Sequence, residues 1–220
     1  MEEHLPFLRA SALFRGMADD EIHHILECLH ARELRFDQDR IVWDVCKQPF
    51  LGIVVQGGLR AQQEDPRGNR HILDDFGPGD FLDGSAAGSI AGMLPFFLDM
   101  RAGTTLLLLE HGPAISPCQN GCRAHLLFLC NAAQALEQSK MRLLHKIEYL
   151  SKRTTREKIL AYLTMQSALQ GARRVSVPYS RQELADLLAV DRSAMCTELT
   201  RMQNDGLIRF ERKRFELLGD

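Results

Sequence analysis

The sequence has no apolar run near the roughly 20 residues that a membrane-spanning helix needs, so no transmembrane segment is expected. Its first residues, Met1-Glu2-Glu3-His4-Leu5-Pro6, are acidic and then broken by proline, unlike a signal or transit peptide, and the chain is expected in the cytoplasm. Six cysteines in 220 residues are too few and too unevenly spaced for a disulfide scaffold, and in a reducing compartment they stay thiols. No Cys-x-x-Cys pair occurs, which removes the usual zinc spacing, and no metal site is expected. A glycine-rich phosphate loop, a nucleophile elbow and a metalloprotease pattern are all missing, which argues against an enzyme.

Excess charge is missing as well, with a formal net of −2. That figure is a cancellation. Residues 1–150 hold 14 Lys and Arg against 20 Asp and Glu, a net of −6, and residues 151–220 hold 13 against 9, a net of +4. A basic C-terminal part on an acidic body points to a nucleic-acid partner at the basic end.

Residues Leu13, Phe14, Met17, Ile22, Ile25, Leu26 and Leu29 recur at helical spacing, with Asp19 and Asp20 placed to begin a helix. From Leu34 to about Leu109 short β-rich runs follow instead: Arg40–Trp43, Leu51–Val55, Gly58–Ala61, His71–Leu73 and Thr104–Leu107. Turn signals at Gln56-Gly57-Gly58, Asp65-Pro66-Arg67-Gly68-Asn69 and Phe76-Gly77-Pro78-Gly79-Asp80 separate them. Such spacing suggests an antiparallel barrel or sandwich. No glycine or proline occurs from Arg123 to Gln170, so a long helical region is expected. Within it Leu129, Ala133, Leu136, Lys140, Leu143, Ile147 and Leu150 step alternately by four and three, a heptad seam with one charged interruption at Lys140. This seam is read as a dimer interface. A new helix start at Ser151–Thr155 sets the boundary of the last domain.

The sharpest pattern runs from Ser180 to Leu199. Ser180 with Glu183 makes a capping box for a short helix apolar at Leu184, Leu187 and Leu188. Ala189-Val190 turns the chain, and Asp191 caps a second helix apolar at Met195, Leu199 and Met202 that ends at Asp205-Gly206. That is a helix-turn-helix. Leu207–Phe210 and Arg214–Leu217 flank Glu211-Arg212-Lys213 and read as a small hairpin wing.

Ser-Arg-Gln-Glu-Leu-Ala at 180–185, Asp-Arg-Ser-Ala at 191–194 and Gly-Leu-Ile at 206–208 resemble the winged helix-turn-helix of the Crp/Fnr family of bacterial transcription regulators. Ala12–Met17, Gly52–Leu59, Phe76–Leu82 and Thr154–Leu163 are similar to further segments of that family, so the resemblance extends over essentially the whole chain. It implies an α+β architecture: residues 1–125 as a sensor antiparallel β-barrel (a double-stranded β-helix, cyclic-nucleotide-binding-like), 126–150 as a long dimerisation helix, and 151–220 as a winged helix-turn-helix. It also implies a homodimer on double-stranded DNA with a roughly palindromic site, with RNA polymerase as a candidate further partner and no membrane. The implied DNA-contacting residues are Ser180, Arg181, Gln182, Asp191, Arg192, Ser193, Cys196 and Thr197, with Arg192 and Ser193 reading bases and Arg181 and Gln182 meeting phosphates. The family often has glutamate where Ser193 stands and arginine where Thr197 stands, so a different half-site is expected.

The resemblance places an effector pocket at Gly79, Asp80, Asp83, Gly84, Ser85, Leu94 and Phe96. Members of the family that bind cyclic AMP carry a glutamate where Gly84 stands and an arginine in the Met93–Phe97 region, which has no basic residue before Arg101. Cyclic AMP is therefore not expected to bind, and no cofactor is assigned. Two other readings remain: a sensory module acting through a protein partner, motivated by Ser193 and Thr197, and a cysteine or metal redox variant using His111, Cys118, Cys122 and His125. In the alternative to the second, these are ordinary buried thiols and surface histidines.

Overall fold

The computed structural model describes residues 2–42, 50–65, 67–84, 96–116 and 121–218. After a 3-10 turn at Glu2–His4 come α1 (Leu5–Ala10), a second 3-10 turn at Ala12–Phe14, and α2 (Asp19–Cys28). Strands β1 (Arg32–Phe36), β2 (Arg40–Val42), β3 (Phe50–Gln56), β4 (Leu59–Glu64), β5 (Arg70–Phe76), β6 (Phe81–Asp83), β7 (Phe96–Met100) and β8 (Thr104–Glu110) follow. Next are α3 (His111–Ile115), α4 (Arg123–Leu150), α5 (Thr155–Gln170), β9 (Arg174–Ser176), α6 (Arg181–Leu188), α7 (Arg192–Asn204), β10 (Ile208–Glu211) and β11 (Arg214–Leu217). The chain divides into two compact units, one of Met1–Gly68 with Leu73–Gln138 and the other of Asn69–Ile72 with Ser139–Asp220. That division falls within α4, whereas the sequence reading sets its boundary after residue 150.

The first unit is built from two four-stranded antiparallel sheets, ordered β1-β8-β3-β6 and β2-β7-β4-β5. The strand periodicity explains why they stack. In β3 and β8, Val54, Leu106 and Leu108 point to the space between the sheets, where they meet Leu59, Ala61, Phe76, Leu98 and Met100 of the second sheet. Their alternates Leu51, Ile53, Val55, Leu107 and Leu109 point the other way and pack with Ile22, Ile25, Leu26 and Phe128 of the helices. The first sheet is thus apolar on both faces, which is why its strands read as continuous hydrophobic runs rather than alternating ones. Among the described residues no ladder joins the two sheets, so the expected barrel takes a jelly-roll-like form rather than a closed ring.

The second sheet carries polar side chains on its other face. Arg60 and Gln62, which alternate with Leu59 and Ala61, are only 6% and 5% exposed. Arg60 donates to Asp75 at 3.0 and 3.2 Å, and Gln62 to Asp99 at 2.9 Å, so the buried guanidinium meets a carboxylate.

Gly84 sits where nothing larger fits. A Cβ there would come within 2.5–2.7 Å of the Phe50 ring, itself core. Gly84→Ala is therefore expected to lower the thermal midpoint of the first unit, by the roughly 1–3 kcal/mol that overpacking costs; scanning calorimetry of the variant beside the parent checks this.

Helix α4 has two faces. Ala124, Phe128, Ala132 and Ala135 recur at i, i+4, i+8 and i+11 and are buried on the first unit. The same unit holds the helix by Arg123 to Glu21 at 2.5 Å and by the Asn131 amide donating to the carbonyls of Leu13 and Arg15, each at 3.0 Å. No residue of the expected seam belongs to that buried set. Leu136, Leu143 and Ile147 are 43%, 51% and 61% exposed, Ala133 and Lys140 are exposed, and Leu129 and Leu150 are half-buried.

The second unit packs Tyr149, Ile159, Tyr162, Leu163, Leu184, Leu188, Met195, Leu199, Met202, Ile208 and Phe215 into one core. Tyr149 and Tyr162 meet edge to face at 5.5 Å. Its sheet has the order β10-β11-β9. The third strand, β9, was not expected from the sequence, since three residues carry too little pattern to stand out.

Candidate nucleic-acid interface

Helices α6 and α7 begin where the sequence places their caps. Ser180 Oγ accepts from Glu183 N at 3.2 Å while the Glu183 carboxylate takes Ser180 N at 2.5 Å. Asp191 Oδ1 accepts from Ala194 N at 2.8 Å and from the Ser193 hydroxyl at 2.6 Å. The turn between them needs a left-handed residue, and Ala189 takes it at φ +49°, a conformation that disfavours a side chain. The Lys158 ammonium donates to the Leu188 and Ala189 carbonyls at 3.2 and 3.4 Å, closing the C-terminal end of α6 with a cation.

A second cation of α5 holds the other helix. Arg156 pairs with Glu198 of α7 at 2.5 Å and with Asp205 just beyond it at 2.7 Å. Helix α7 buries Met195, Leu199 and Met202. Helical spacing puts Ser193, Thr197, Thr200 and Asn204 on the opposite side, with Arg192 exposed in the first turn and Cys196 half-buried at the margin. Of the expected DNA-contacting residues, Arg192, Ser193, Cys196 and Thr197 thus share α7. Gln182 of α6 is exposed, its amide donating to Asp186 at 2.8 Å. Thr200 was missed by the sequence reading, although a seven-residue step from Ser193 places it on the same face.

Arg181 lies elsewhere. Its guanidinium stacks over the rings of Phe210 and Phe215 at 5.0 and 4.9 Å. Beyond them the wing turns at Arg212, held at φ +52°, and the sheet face carries a ladder in which Glu216 pairs with Arg174 at 3.1 Å and with Arg209 at 3.9 Å. Lys213 ties the turn back by donating to the Pro178 carbonyl at 2.8 Å.

Two capping carboxylates make this unit acid-sensitive. The Thr154 backbone N–H and hydroxyl hold the Glu157 carboxyl below its ordinary 4.5. The Ser193 hydroxyl and the Ala194 N–H hold Asp191 below its ordinary 3.8. A lowered folded-state pKa means that the unfolded chain binds the proton more readily, so stability rises with pH in this range. Each contribution is complete above the ordinary value and is lost as pH falls through the folded one. The thermal midpoint of the second unit is expected to fall on acidification below about pH 5, more shallowly in Glu157→Gln, as circular dichroism melts at stepped pH would reveal.

Of the expected effector residues, Gly79 takes φ +91° and its N–H donates to the Val54 carbonyl at 2.8 Å. The Asp80 carboxylate is occupied within that turn, accepting from Gly77 N at 2.8 Å. Asp83 belongs by its backbone to β6, paired with Leu51 of β3, and Gly84 is buried. Ser85 and Leu94 lie outside the described residues, as do the side chains of Asp83 and Phe96. Cys118 is also outside them, and among the described residues the one group of three converging ligand atoms is Glu3, His4 and Glu33, away from His111, Cys122 and His125. One expectation in that segment needs correction. His125 is 5% exposed rather than a surface histidine, because it lies one turn before the buried Phe128–Ala132 face, while Cys122 is half-buried.

A capped helix-turn-helix followed by a hairpin wing, with a polar face on its second helix, defines a winged helix-turn-helix protein. Residues 157–219 match the Crp-like helix-turn-helix domain. Over 182 residues the chain is 27% identical to the transcriptional activatory protein AadR of Rhodopseudomonas palustris, covering 80% of this chain and 70% of the relative. It is 24% identical over 191 residues to the transcriptional activator protein FnrL of Cereibacter sphaeroides, covering 82% and 73%. A CooA mutant from Carboxydothermus hydrogenoformans has the same fold, with a TM-score of 0.72, 17% identity, and coverage of 98% of this chain and 91% of that one. The chain carries a Crp-like helix-turn-helix domain, is similar over most of its length to regulators of the Crp/Fnr type, and is a DNA-binding transcription regulator. No helix among the described residues is long and apolar enough to cross a membrane.

Proposed function

We propose that the protein acts in the cytoplasm as a homodimer that binds a roughly palindromic operator and works with RNA polymerase, under the control of a signal received by the N-terminal unit. The observation that carries this reading is the face of α7 bearing Arg192, Ser193 and Thr197, exposed while the rest of the helix is anchored by its apolar side and by Arg156. Arg192 and Ser193 contact base edges in the major groove, with Thr197 and Cys196 beside them. Ser180, Gln182 and Asp191 lie where helix starts approach phosphates, Ser180 and Asp191 mainly as caps. Dimerisation runs along Leu129, Ala133, Leu136, Lys140, Leu143, Ile147 and Leu150, a stripe whose central apolar members Leu136, Leu143 and Ile147 are too exposed to be a monomer's own core.

The effector is not cyclic AMP. A glutamate for the ribose has no place at residue 84, since the Phe50 ring fills the space its Cβ would need. Selection of bound fragments from a random DNA pool tests the function directly: enrichment of a two-fold symmetric motif supports it, and a pool that stays random after several rounds overturns it. Calorimetric titration with cyclic AMP is expected to give no heat beyond dilution.

A further inference from the structure

Arg181 is the first residue of α6, where the helix dipole favours an anion and a cation is out of place. The family resemblance implies a phosphate contact for it, yet its guanidinium stacks on two aromatic rings in this structure. It covers Phe210 and Phe215, which face each other across β10 and β11 with ring centroids 5.8 Å apart. Phe215 is core, 1% exposed, and Phe210 is half-buried, so the guanidinium closes the open side of the pair. Burial there lowers the pKa of Arg181 from its ordinary value. Phe210 is also tied to the reading helix, since its N–H donates to Gln203 Oε1 of α7 at 3.4 Å. One aromatic residue of the wing is therefore gripped from α6 by Arg181 and from α7 by Gln203. The turn bearing Arg212, Lys213 and Arg214 lies just beyond this node.

We propose that Arg181 is a positioning residue, whose guanidinium stays stacked on Phe210 and Phe215 in the DNA complex and sets the pitch of the wing relative to α7 instead of contacting a phosphate. The inference rests on the DNA-binding reading above. Its consequence is that Arg181 contributes to affinity through the wing, and only while Phe210 is present.

The test is a double-mutant cycle on operator binding with Arg181→Gln, Phe210→Leu and both, each titrated over a range of salt. Each single change is expected to weaken binding on the order of fivefold, from the strength of a partly desolvated cation–π contact, and the double variant no more than twofold further. The slope of log K against log salt should match the parent in all three, because no phosphate contact is lost. A slope that falls by about one in Arg181→Gln, with a loss that persists in the Phe210→Leu background, overturns the proposal. Proton NMR of the unmodified protein is independent of how the variants fold. The Arg181 side-chain protons should be shifted upfield by the rings and stay so when operator is added, and their return to ordinary positions would equally overturn it. Failure of the unmodified protein to bind any DNA removes the function and this role together, whereas binding with a lowered slope removes this role alone.

Discussion

Placing glutamate at both Leu143 and Ile147 is expected to leave the protein monomeric and to abolish high-affinity binding to a two-fold symmetric operator. Both side chains are more than half exposed on α4 and belong to neither of the buried cores that hold the helix. In a paired seam each would be buried against its symmetry mate. Because each is already about half covered in its own chain, their loss removes about 0.8–1.5 kcal/mol of burial per side chain, or at least roughly 3 kcal/mol over two protomers, and adds four apposed negative charges. Since neither residue supports the fold of its own chain, the thermal midpoint should change little. Sedimentation velocity gives the mass directly, and a dimer that persists would remove the seam from these residues. Lys140, the charged member of the stripe, is consistent with a register-setting position, where a polar group lowers stability but selects one alignment.

Replacing Arg192 with alanine is expected to be the most damaging single change at the DNA surface. The residue is exposed at the first turn of α7, beyond the Asp191 cap, where a guanidinium can reach two acceptors of one guanine. Loss of such a bidentate contact costs about 1–3 kcal/mol, roughly 5- to 150-fold in each half-site, and should relax discrimination at one base pair while leaving others intact. Fluorescence anisotropy with operators substituted one position at a time separates these outcomes. A uniform loss across all sequences would make Arg192 a backbone contact, and no loss would favour a regulator that works through a protein partner. Arg192 touches none of the core, so its removal should leave the melting profile unchanged.

The helix-turn-helix was legible because its signals are local. Ser180 with Glu183, Asp191 before Ala194 and Gly206 after Asn204 each act across one turn of chain, and the apolar triads of α6 and α7 repeat within a dozen residues. The long helix was legible for the same reason. The strands were less so. β1 and β9 are short and mixed, and β6 and β7 adjoin segments with no alternation, so their assignment depends on partners far along the chain, as with Leu106 opposite Val54.

By itself, the sequence determined the kind of protein this is: capped helices that make a helix-turn-helix, and a basic C-terminal part on an acidic body. Only the tertiary structure decided which polar side chains have work inside the fold. Arg60 and Gln62 alternate with apolar neighbours like any solvent-facing pair, yet both are buried beside Asp75 and Asp99. Gly84 resembles an ordinary turn glycine until the Phe50 ring is seen against it. Arg181 resembles a phosphate ligand until Phe210 and Phe215 arrive beneath it from about thirty residues further along. Caps and helical stripes are set by neighbours within one or two turns, whereas burial and stacking are set by whatever the folded chain brings alongside, and no local spacing encodes that.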